Sequence, residues 1–153
     1  MSAKDLKVLR VSIMTLLALL FLQFEFGMAT NLSNLPSLPP IPNTMAGYST
    51  GFNNTLAQAG PVAVVHASLG SLLGLATIFV LVLCLRSGRR SVQVFGSLAF
   101  VTTLLAGITG TLFVMSGFQN DGFSHGMATN FLLAYTFYFL ELYFLKPAPR
   151  PSG

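Results

Sequence analysis

PVAVVHASLGSLLGLATIFVLVLCL, residues 61–85, runs without a charged side chain and ends against Arg86. At about 1.5 Å per residue, a helix of that length exceeds the roughly 30 Å hydrocarbon layer of a bilayer. Three further apolar stretches, 11–29, 92–117 and 123–145, are near or above the roughly twenty residues needed to cross. The short links at 87–91 and 118–122 force neighbouring helices to pack antiparallel. Residues 1–153 are therefore expected to form one all-α domain, an integral membrane antiparallel four-helix bundle.

Composition points the same way. The chain is 53 % hydrophobic and 8 % charged, with a mean hydropathy of +0.72. A soluble domain carries about a quarter charged residues.

Charge sets the expected orientation. Lys4, Lys7 and Arg10 precede the first stretch, Arg86, Arg89 and Arg90 separate the second from the third, and Lys146 and Arg150 follow the fourth. Basic residues are retained on the cytoplasmic side of short loops, so both termini are expected in the cytoplasm, with the protein in the cell membrane. The net charge of +4 is accounted for by this pattern and by attraction to anionic lipid, and is no argument for nucleic acid.

Residues 1–29 also have the basic start and apolar run of a secretory signal. The length of the run, Glu25 within it and the lack of a clean small-x-small site favour a retained helix. Residues 30–60 differ in kind. Pro36, Pro39, Pro40 and Pro42, with many Asn and Ser, argue against a helix, and the segment is expected as an outer loop across the mouth of the bundle. Cys84 is the one cysteine, so no intrachain disulfide forms, and it reads as a small buried thiol.

The only two histidines, His66 and His125, lie twenty positions before Arg86 and twenty-one before Lys146. Each imidazole is thus about 30 Å from its cytoplasmic anchor, and the two come out level near the outer face. Two imidazoles at one depth on separate helices are the arrangement that ligates a haem iron from both sides. Room for a macrocycle is offered by Gly70 and Gly74, at i+4 and i+8 from His66, and by Gly107 and Gly110 of the third stretch. The same small residues also serve ordinary close packing of membrane helices.

Thioethers offer a second chemistry. Met28, Met115 and Met127 fall at outer helix ends, and with imidazole they favour copper, Cu(I) above all, over hard ions. Glu25, about 22 Å above Arg10, is a candidate proton relay or partner to a ligand imidazole, and Thr129 lies one turn below His125 as a further contact. Glu141, close to Lys146, reads as a structural residue snorkelling to the inner interface. The aromatic run from Tyr135 to Phe144 reads as packing and interfacial belt, with an inner quinone as a remote alternative. No nucleophile triad and no glycine-rich phosphate loop can be assembled.

In architecture the chain resembles small four-helix membrane cytochromes of b type. The resemblance covers the bundle and the level of His66 and His125. It implies at most one bis-His haem b, with single-electron transfer to a redox partner or within a larger membrane complex. A copper-binding protein, or a non-catalytic subunit or assembly factor of such a complex, is the alternative expectation.

Overall fold

Apolar runs of this length become helices because only a helix satisfies its own backbone polar groups away from water. The computed structural model describes residues 3–33, 35–42 and 44–145. They form α1 (Ala3–Leu32), α2 (Met45–Ala59), α3 (Pro61–Arg86), α4 (Arg90–Met115) and α5 (Asp121–Phe144), with no strand among the described residues. Three of these helices, α1, α3 and α4, are long and apolar enough to cross a membrane. The fourth stretch, α5, is 24 residues long but falls short of that measure, diluted by Thr129, Asn130, Thr136 and Glu141.

Local chemistry sets the helix starts. Pro61 opens α3, where a missing N–H costs nothing, directly after Gly60 at φ 95°. Asn120 caps α5 by accepting from the Gly122 N–H at 3.1 Å.

The expectation of a helix-free outer loop at 30–60 is corrected. Its prolines are confined to positions 36–42, which run extended, and from Thr44 onward nothing forbids a helix. Thr44 caps α2 by accepting from the Gly47 N–H at 3.0 Å. Leu56 and Phe52 then pack on Ala63 and Ala67 of α3, on Val114 of α4 and on Phe118. Tertiary burial thus holds a short helix that its own propensity would leave marginal. The extended strap 35–42 is pinned to the α4–α5 turn: the Leu38 N–H donates to the Gly117 carbonyl at 3.1 Å, and the Ile41 N–H to the Met115 carbonyl at 2.9 Å.

Among the long helices α4 packs most extensively on α5 and α1 on α3, while α3 also packs on α4 and α1 on α5. Leu9, Ile13, Leu16 and Leu20 make one helical stripe of α1. They form a filled core with Leu73, Val80 and Cys84 of α3, Val92 and Ala99 of α4, Tyr138 of α5, and Leu145. The basic start of α1 and the Arg86–Arg90 link flank this core, so the described basic residues share one end. Lys146 and Arg150 lie outside the described residues. Large apolar side chains face outward, Leu75 at 68 % and Phe139 at 60 % exposure. Such surfaces suit contact with lipid.

Candidate outer cavity and a buried inner carboxyl

At the end away from the described basic residues, labelled outer for the expected orientation, the halves of α1, α3, α4 and α5 do not close on one another. They leave a cavity of about 630 Å³, with Tyr48, Phe52 and Leu56 of α2 contributing to its wall. His66 stands on this wall, half-buried, one turn of helix above Gly70. Its ring rests on the backbone of α1, where a Cβ added to Gly27 would come within 3.0 Å of its Cε1. The Gln23 amide reaches the ring at a long 3.4 Å, Nε2 to Nε2, so that Gln23 donates and His66 accepts. The His66 Nδ1 and the Gln23 Oε1 are buried without a hydrogen-bond partner.

Several expected residues come together here. Gly70, Gly74, Gly107 and Gly110 all line the cavity with His66, as do Met28, Met115 and Met127. The glycines are not equivalent. Gly74 and Gly107 border open space, whereas Gly70 is filled by the Gln23 side chain and Gly110 by the Met127 sulfur.

His125 is placed differently. It occupies the first turns of α5, as His66 does of α3, and these two helices run in the same direction because α4 alone separates them in the chain. Yet His125 is exposed and lines a second, smaller cavity of about 460 Å³. The two cavities adjoin, sharing Asn31, Phe113, Phe118, Ser124 and Ala128. At about 100° per residue, His125 points roughly 170° away from the buried stripe of Ala134, Tyr138 and Glu141, and shares its outward face with Thr129 and Leu132. Thr129 and Glu25 are exposed and line neither cavity. Among the described residues no three His, Cys, Asp or Glu side chains gather as a metal site.

Glu141 departs most from its expected place. It does not snorkel: it is 0 % exposed, and the Cys84 thiol donates to its Oε1 at 2.6 Å. Its Oε2 and the hydroxyl of Tyr138, one turn away on the same face, are buried without hydrogen-bond partners. Cys84 is buried, as expected for a small thiol, but it is also a hydrogen-bond donor. Of the aromatic run, Tyr135, Phe139 and Tyr143 are exposed and Tyr138 is interior. Helical phase carried the missed signal, because Glu141 repeats the position of Ala134 and Tyr138 at i+7 and i+3.

The chain matches no protein-family model, no curated protein and no solved structure in these comparisons.

Proposed function

We propose that the chain is an integral membrane haem b protein of the cell membrane that passes single electrons, with the outer cavity as its cofactor site. In this reading α5 is the fourth span of an antiparallel four-helix bundle and both termini are cytoplasmic. The observation that carries the proposal is an imidazole on the wall of a large apolar cavity, with open space over Gly74 and Gly107 on the facing helices. Pockets of this volume and lining are the usual hosts of large apolar ligands.

The residues fit the group better at one ligand position than at the other. His66 is held by Gly27 behind it, and the long Gln23 contact is the single hydrogen bond to be exchanged for a metal bond. His125 reaches the same space only when the first turn of α5 rotates inward. Bound haem supplies one-electron exchange. With no basic residue at this end among the described residues, Asn31, Tyr48 and Ser124 on the cavity walls are donors available to its carboxylates.

A second reading rests on the three thioethers. Met28, Met115 and Met127 share the cavity with His66, a donor set that suits Cu(I).

Visible spectra of the detergent-purified protein, oxidised and dithionite-reduced, test the first reading. A sharp reduced α-band that is lost in His66→Ala is expected. Undiminished haem in that variant overturns it. Elemental analysis tests the second: copper lost with His66→Ala supports it, and copper unchanged by that substitution removes it.

A further inference from the structure

A carboxyl group at the centre of a lipid-embedded helix packing is costly and by default functional. Glu141 is such a group. It belongs to the filled inner half, away from the outer cavity. Leu9 and Ile13 are the core residues of α1 at this level, and Cys84 reaches the carboxyl from α3. On α4 Gly96 lies close enough that its Cβ would stand 3.4 Å from Oε1, and Tyr138 flanks it on its own helix. Of these neighbours only Cys84 and Tyr138 are titratable, and neither is a cation. Arg89 of the link donates instead to the Phe144 carbonyl at 3.3 Å. Among the described residues no basic group reaches the carboxyl.

Two acceptor or donor atoms are left over. Glu141 Oε2 and the Tyr138 hydroxyl are enclosed in protein and make no hydrogen bond. The Tyr138 hydroxyl lies beside Thr103 of α4, whose own proton goes to the Ala99 carbonyl at 2.8 Å. Thr103 in turn lines the outer cavity. Tyr138 and Thr103 thus stand between the carboxyl and the cavity floor without joining them by hydrogen bonds.

We propose that Glu141 and Cys84 form an intramembrane proton-binding site, with Oε2 as the atom that takes the proton. The step is a proton transfer and nothing more: an O–H bond forms at Oε2 as one breaks on a hydronium ion, which leaves as water. The Cys84 thiol keeps its proton and holds Oε1, orienting the carboxyl so that Oε2 is free. An unpaired carboxylate at this depth is the disfavoured form, so the site stores a proton. The inference is independent of what fills the cavity.

Dicyclohexylcarbodiimide, which partitions into lipid, tests it. The O–H of a protonated carboxyl adds across a C=N bond of the reagent, and the product rearranges to a stable N-acylurea that peptide mass spectrometry locates. The full chain in detergent micelles is expected to be labelled at Glu141, with labelling falling as pH rises and lost in Glu141→Gln. A water-soluble carbodiimide is expected to mark exposed Glu25 and spare Glu141. Tyr138→Phe, which keeps the carboxyl, is expected to retain the label. A folded wild-type protein that takes no label at Glu141, or takes it equally at all pH values, overturns the proposal, and this outcome is decided without any variant.

Discussion

Gly96 of α4 lies under the thiol of Cys84 in α3, so close that a Cβ at position 96 would stand 2.7 Å from Sγ and 2.9 Å from the Cys84 Cβ. The missing side chain lets α3, α4 and α5 close around the Glu141 carboxyl. Gly96→Ala is expected to lower stability by about 1–3 kcal/mol, the usual cost of overpacking a filled core. Gly107→Ala, which meets open space, is the matched control and should raise stability by up to about 1 kcal/mol. Thermal unfolding of both variants in the same detergent checks the contrast, and equal melting temperatures would contradict it.

The two histidines should not behave alike. His66 is seated on the cavity wall and His125 faces outward. Under the haem reading His66→Ala loses the cofactor, whereas His125→Ala keeps it but shifts the spectrum from low to high spin. Absorption and electron paramagnetic resonance distinguish the two. Equal loss in both variants would show that the cofactor is held by the two imidazoles alike, against the contrast in their placement.

Gly27 bears on the same ring from behind. Because an added Cβ would stand 3.0 Å from the His66 Cε1, Gly27→Ala has to shift the imidazole by a few tenths of an ångström. Retention of cofactor through gel filtration is expected to fall in Gly27→Ala while the protein stays monodisperse. Full retention would mean that the ring can move without consequence.

Orientation is open to direct reading because the one native thiol is buried. In a Gln58→Cys variant, at an exposed position of α2, a membrane-impermeant maleimide should react on intact cells. Ser91→Cys, exposed at the start of α4, should react only after permeabilisation. A C-terminal tag cleaved by protease only after permeabilisation would establish α5 as a span. The opposite labelling pattern would invert the topology.

Gly117 sits at φ 68°, and a Cβ there would run into the Leu38 carbonyl. Gly117→Ala combines about 1–2 kcal/mol of left-handed strain with a collision against the strap. Faster proteolysis within residues 33–44 is expected, since the strap is held by backbone bonds at this turn. Unchanged cleavage would argue that the strap is fixed elsewhere.

What was legible from residues alone follows from what each signal measures. Apolar length identified α1, α3 and α4 because crossing a bilayer is a matter of length and composition. Proline content was averaged over 30–60, although Pro36 to Pro42 occupy only its first half, and so α2 was missed. Counting residues to Arg86 and Lys146 placed His66 and His125 at one depth, but depth is one coordinate and direction around the helix is another. On α5, apolar residues surround the axis, so its buried side is hidden from a hydropathy pattern. The spacing of Ala134, Tyr138 and Glu141 held that information. Nearness to Lys146 instead suggested an interfacial Glu141, which is why the buried carboxyl was missed.

The division between a filled inner half and an open outer half has a volumetric consequence. Void space is what pressure removes, so compression should act first on the cavity end and leave the Leu9–Tyr138 core intact until higher pressure. Whatever occupies the void takes the place of absent core side chains. Occupancy then also stiffens the outer half, and the unliganded protein should be the softer and more compressible form.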